Sequence, residues 1–152
     1  MIEHQLDIET KDGPMSTFVC HPERGGPYPV IFFYMDAPAI REELRDMARR
    51  FATAGYFVLL PNLYYRSGVM ELGPLPADPN APERKRMFEL MESLSIAKIM
   101  DDTKAMLTYA AGQTAARTCA PRSRNPISQT APLRRPEPMT RRERTVRSRP
   151  SP

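Results

Sequence analysis

Two short runs constrain this chain more than anything else in it: VIFFYM at residues 30–35 and YFVLL at residues 56–60. Each is continuously apolar and rich in β-branched or aromatic residues, as a strand covered on both faces must be. Between them, residues 41–54 set Leu44, Met47, Ala48, Phe51 and Ala52 at helical spacing, and Gly55 stands where a helix C-terminus belongs. Strand, helix and strand in this order call for a right-handed crossover that lays the second strand parallel to the first. In such sheets ligands gather at the carboxyl ends of the strands. Here those ends are Met35-Asp36-Ala37-Pro38 and Pro61-Asn62-Leu63-Tyr64-Tyr65-Arg66.

The flanking sequence fits the same architecture. Residues 2–10 alternate, with Ile2, His4, Leu6 and Ile8 on one face of a half-buried strand. The KDGP turn signal at residues 11–14 leads to a second strand, residues 15–21, expected to close a hairpin with the first. Residues 61–82 are polar and proline-rich and read as a surface excursion. Residues 83–94 predict a helix with Met87, Phe88, Leu90, Met91 and Leu94 inward. Residues 96–111 predict another, with Ile96, Ile99, Met100, Met106, Leu107 and Ala110 on one side and Gly112 closing it. The expected class is α/β, a sheet with helices on both faces. The pattern calls for another core strand after Gly112.

In place of such a strand the sequence changes character. Residues 117–152 hold ten Arg, seven Pro and no aromatic residue. With two Glu they sum to about +8, so of the overall +4 the preceding 116 residues carry about −4. A segment this poor in apolar groups cannot offset an ordering entropy of about 1–2 kcal/mol per residue, so a disordered basic tail is expected. Arginine-rich segments can bind nucleic acid, although this one has no aromatic platform for stacking bases. Arg, Pro, Ser, Thr and Ala also dominate a GC-rich gene read out of frame, and a frameshift near Ala116 would produce the same abrupt change. The expected organisation is a partial α/β domain over residues 1–116 followed by the tail over 117–152.

The N-terminus, MIEHQLDIETK, lacks the basic and apolar regions of a signal peptide, and no apolar run approaches the roughly 20 residues of a membrane span. A soluble, cytoplasmic chain with no membrane partner is expected. Cys20 and Cys119 lie in unlike segments without metal-ligand spacing, so neither a disulfide framework nor a metal nor any other cofactor is expected.

Residues 29–68, PVIFFYMDAPAIREELRDMARRFATAGYFVLLPNLYYRSG, together with the opening hairpin and APERKRMFELMESL at residues 81–94, resemble the dienelactone hydrolase family of α/β-hydrolases. The resemblance covers residues 1–116. It implies an α/β-hydrolase-type sheet and hydrolysis of a lactone or other carboxylic ester. The family uses a nucleophile, usually Cys in a G-x-C-x-G turn, with a later Asp and His. The seven glycines, at 13, 25, 26, 55, 68, 73 and 112, include no pair four apart. His4 and His21 precede the core strands, and Cys119 has no glycine beside it. The sheet is therefore expected to be truncated before the strand that carries the nucleophile, and the chain is expected to be inactive alone.

Two parts of the family's site fall within the resemblance. Asp36 matches an acidic residue beside the nucleophile, and the Ala37 N–H would correspond to an oxyanion-hole donor. Arg86 aligns with an arginine that binds substrate carboxylate in lactone-hydrolysing members. Tyr64 and Tyr65 are candidate pocket walls at a strand's carboxyl end. Each residue has a plainer reading: Asp36 as turn former or helix cap, Arg86 as solvated charge, the tyrosines as packing. The second functional reading is a non-catalytic protein that contacts nucleic acid or an acidic partner through the arginine tail.

Overall fold

The computed structural model describes residues 1–118. Of the expected tail, residues 117–152, those from 119 onward, Cys119 among them, lie outside the described residues, whereas Arg117 belongs to a strand. β1 (Ile2–Thr10) and β2 (Gly13–His21) form the expected hairpin, paired antiparallel from Ile2↔His21 to Thr10↔Gly13. Its tight turn leaves Gly13 at φ 118°, a conformation that an L side chain resists. β3 (Tyr28–Phe32), α1 (Glu42–Thr53) and β4 (Phe57–Pro61) make the crossover, with β3 and β4 parallel from Val30↔Phe57 to Phe32↔Leu59. α2 (Pro82–Ser93) begins on proline, whose missing N–H would be unpaired there anyway. α3 (Ile96–Ala111) is capped by Ser95, whose Oγ accepts the Lys98 N–H at 3.3 Å. β5 (Ala116–Arg117) then lies parallel to β3, pairing Ala116 with Tyr28 and Arg117 with Pro29.

The sheet order is β1-β2-β4-β3-β5. β4 is its centre, antiparallel to β2 on one side and parallel to β3 on the other, and all of it is buried. Alternation along β4 sends Val58 and Leu60 into one layer with Leu44, Ala48 and Ala52 of α1. It sends Phe57 and Leu59 into the opposite layer with Met106 and Ala110 of α3. The expected helices on both faces are thus present, and the architecture is of the α/β-hydrolase type.

Several faces differ from the sequence reading. Ile8 is the buried end of β1's inner face, whereas Ile2 and His4 are exposed because α3 covers only the distal half of the strand. The run at residues 30–35 is shorter as a strand and only half-buried, because among the described residues β5 flanks β3 at Tyr28 and Pro29 alone. Met47 and Phe51 of α1, Phe88 and Met91 of α2, and Ile96, Met100 and Leu107 of α3 are largely exposed. The buried stripe of α3 keeps Met106 and Ala110 from the expected face and adds Asp102, one residue per turn. Nor is the segment after β4 wholly a surface excursion: Asn62, Leu63 and Tyr64 are buried. The Asn62 side chain organises them, accepting the Tyr64 N–H at 3.1 Å and donating to the Val69 carbonyl at 2.8 Å.

Asp102 can sit at the centre of a buried face because it is fully partnered. Arg66, in the 3-10 turn Tyr65–Ser67, grips both carboxylate oxygens at 2.7 and 2.9 Å. The Tyr65 hydroxyl donates to Oδ1 at 2.9 Å and stands 2.7 Å from Thr10 Oγ1. Arg66 Nε reaches Asp12 at 2.7 Å, so one guanidinium ties the hairpin turn to α3. Burial disfavours the charged Arg66, but its hydrogen bonds to Asp102 and Asp12 outweigh this and hold its pKa above the ordinary value. Replacing Arg66 by Met strands a buried carboxylate and is expected to cost about 3–5 kcal/mol. Arg66→Met combined with Asp102→Leu should recover much of that loss. Urea unfolding followed by circular dichroism checks both variants, and a double variant less stable than the single one would contradict this account.

Candidate functional site

Beyond β3 the ladder continues for one bond, Phe33 N–H to Leu59 O at 2.8 Å, and the chain then leaves the sheet. The next turn is closed by Ala39 N–H to Asp36 O at 3.1 Å, with Ala39 buried at φ 70°. A left-handed backbone at a non-glycine residue costs about 1–2 kcal/mol. The turn is held on both sides. Arg41, the residue before α1, donates to both oxygens of Asp36 at 2.5 and 2.9 Å. From below, the Tyr64 hydroxyl donates to the Ala37 carbonyl at 3.0 Å. Asp36 is therefore neither a helix cap nor an unpaired acid. The Arg41 hydrogen bonds hold its carboxyl below the usual carboxylate range, against a smaller effect of burial.

This turn forms one rim of a cavity of about 420 Å³ at the carboxyl ends of β3 and β4. Tyr34, Met35, Asp36 and Ala37 line it from β3, and Leu63 and Tyr64 from the exit of β4. Met91 of α2, Leu94 after it and Ile99 of α3 complete the wall. The Tyr64 hydroxyl has its pKa raised first by burial and then by the charge of Asp36. The cavity is thus apolar over most of its surface, with a carboxylate and a backbone turn at one edge.

The expected site residues divide. Asp36, Ala37 and Tyr64 come together at the cavity. Tyr65 does not: the chain turns into the 3-10 turn there, and Tyr65 goes to the Asp102 cluster on the other layer. Arg86 is exposed on α2 and pairs with Glu89 at 3.2 Å, away from the cavity lining. In the sequence Arg41, the partner of Asp36, is legible only as a neighbouring charge five residues on. Leu63, Met91, Leu94 and Ile99 carry no signal there beyond apolar periodicity.

Groups suited to nucleophilic chemistry lie elsewhere. Cys20 is fully buried on β2, where burial, with some help from Glu3, pushes its thiol up to about 11. His21 stacks on Phe57 at 5.0 Å, and its Nδ1 donates to the Pro22 carbonyl at 2.7 Å. His4 is exposed on β1. Among the described residues no group of three His, Cys, Asp or Glu side chains is placed to hold a metal ion. No described helix is long and apolar enough to cross a membrane.

A βαβ crossover with an antiparallel hairpin at one edge, helices on both faces and a cavity at the strand ends defines an α/β-hydrolase-type fold. Residues 15–118 match the model of the Dienelactone hydrolase family, and the chain belongs to that family. It is 29% identical over 113 residues to a Methylorubrum extorquens protein named "Putative carboxymethylenebutenolidase", covering 74% of this chain and 36% of that protein. An Azospirillum brasilense protein of the same name is 30% identical over 83 residues, covering 55% of this chain and 35% of its own length. The chain thus spans about a third of the length of these curated relatives. A solved structure of a "Putative Dienelactone Hydrolase" from Klebsiella pneumoniae superposes with TM-score 0.61 at 24% identity, covering 74% of this chain and 45% of that one. That likeness bears on the fold alone.

Two outcomes are expected from the geometry. Because the folded pKa of Asp36 is depressed, the stabilisation from its pair with Arg41 is complete above the unfolded value of about 3.9 and disappears as pH falls through the lowered folded value. Arg41→Gln should move the Asp36 titration, followed by carboxyl carbon NMR, up toward the usual range; an unmoved midpoint would show that Arg41 is not the cause. In a Cys119→Ser background, Cys20 should resist a thiol reagent at about pH 8 until the protein is unfolded. Rapid labelling of the native protein would be inconsistent with its burial.

Proposed function

We propose that residues 1–116 form the carbonyl-facing part of a carboxylic ester or lactone hydrolase site. The observation that supports it is the apolar cavity at the carboxyl ends of β3 and β4, with the Asp36-Ala37 turn at its rim and Tyr64 beneath. A small ester or lactone held there would lay its apolar part against Leu63, Met91 and Ile99. Its carbonyl oxygen would be directed to the Ala37 N–H. One such donor, fixed before the reaction begins, stabilises a tetrahedral oxyanion by about 3 kcal/mol. Asp36 and the Tyr64 hydroxyl hold the turn and so orient that N–H. Within this reading Arg86 and Tyr65 contribute at a distance at most, through α2 and the 3-10 turn.

Polarising a carbonyl is one half of ester hydrolysis; the other is an activated nucleophile. The 152 residues contain no G-x-C-x-G or G-x-S-x-G turn, and Cys20, His4 and His21 stand away from the cavity lining. The chain is therefore proposed to bind an ester without turning it over. Nucleic-acid contact through the arginine tail concerns residues outside the described ones, and no observation favours it.

Incubating the full chain with p-nitrophenyl acetate tests the second half of this reading, and amide NMR during titration with dihydrocoumarin tests the first. The expected results are hydrolysis at the rate of buffer alone and shifts confined to residues such as Ala37, Leu63 and Ile99. Hydrolysis that survives loss of Cys20, Cys119, His4 and His21 would sink the mechanism, and shifts scattered over the surface would sink the site.

A further inference from the structure

The charges around the cavity restrict what it can accept, and the inference drawn from them rests on the ester-site reading. Of the residues that line it, Asp36 is the one that is ionised, and it is negative. The cation beside it is already committed. Arg41 donates to both oxygens of Asp36, reaches the Ala39 carbonyl at 3.3 Å through Nη1, and has Nε 3.6 Å from Glu43. Arg86, the other candidate for holding an anion, is exposed and paired with Glu89. Among the described residues no cation lines the cavity. The two phenol groups are spoken for as well: Tyr34 OH lies 2.6 Å from Thr103 Oγ1, and Tyr64 OH donates to Ala37.

We propose that this cavity selects an uncharged, largely apolar ester or lactone and discriminates against one that carries a carboxylate. A ligand carboxylate entering here would lose its hydration against Leu63, Met91, Leu94 and Ile99 and gain no counter-ion from the described residues. It would also approach Asp36 as a like charge. Besides burial, the charge of Asp36 raises the pKa of the Tyr64 hydroxyl. An uncharged ring meets none of these costs, and its carbonyl can still reach the Ala37 turn.

The test compares two ligands of nearly the same shape, coumarin-3-carboxamide and coumarin-3-carboxylate, titrated into the full chain at neutral pH and followed by amide NMR. The amide is expected to bind at least roughly tenfold more tightly, with shifts at Leu63, Tyr64 and Ile99. Asp36→Asn releases the Arg41 guanidinium at the rim and should bring the two ligands within about threefold. Arg41→Gln leaves Asp36 uncompensated and should widen the gap, so the two variants move the ratio in opposite directions. Carboxylate binding as tight as the amide, at the same residues, overturns the selectivity while the ester site stands. Failure of both ligands to bind removes the site, and the selectivity with it.

Discussion

The buried ion pair between Arg66 and Asp102 is the interaction on which the rest of this structure depends. A carboxylate 1% exposed in the middle of a helix face is tolerable only with its lone pairs filled. Arg66 and Tyr65 fill them, and to do so the chain leaving β4 must turn at once into the 3-10 turn rather than wander over the surface. That turn fixes the residues just before it. Leu63 and Tyr64 are thereby pressed into the opposite layer, where both line the cavity and Tyr64 also holds the Ala37 carbonyl. The hairpin turn is drawn in by the same guanidinium through Asp12. Three segments distant in sequence thus share one charge pair.

β4 transmits this anchoring to the sheet. It is hydrogen-bonded on both sides, buried throughout, and contributes alternate residues to both apolar layers. The strands further out are held progressively less. β1 presents Glu3, Asp7 and Glu9 along its exposed length, charges that blunt an edge against unwanted pairing. β3 is half-buried and meets β5 at two residues. The Asp36 turn grows out of this less supported strand. Its position therefore relies on Arg41 and Tyr64 rather than on the sheet, which is how an alanine at φ 70° can persist within it.

The elements are legible in the sequence because their signals are local: the apolar runs of β3 and β4, the helical spacing of α1 and α3, and the glycines that end them. The faces are less so. Periodicity ranks residues by polarity, so it assigns Ile96 and Met100 inward and passes over Asp102, whereas the structure buries Asp102 because a partner 36 residues away neutralises it. Long-range pairing of this kind leaves no local trace. The same limit governs the site. Asp36 and Ala37 are recognisable by resemblance and Tyr64 by its place at a strand end, but the opposite directions of Tyr64 and Tyr65 depend on how the chain exits β4. Alignment singles out Arg86 without registering that its side chain turns to Glu89.

β4 and its anchored exit are expected to be the most stable part of the molecule, from which the cavity is hung. Native-state amide hydrogen exchange tests it most directly. Val19, Cys20, Val58, Leu59 and Leu60 are expected to exchange slowest and together, by unfolding of the whole unit, while residues 30–32 exchange sooner. Uniformly fast exchange, or protection of β3 that outlasts that of β4, would contradict it.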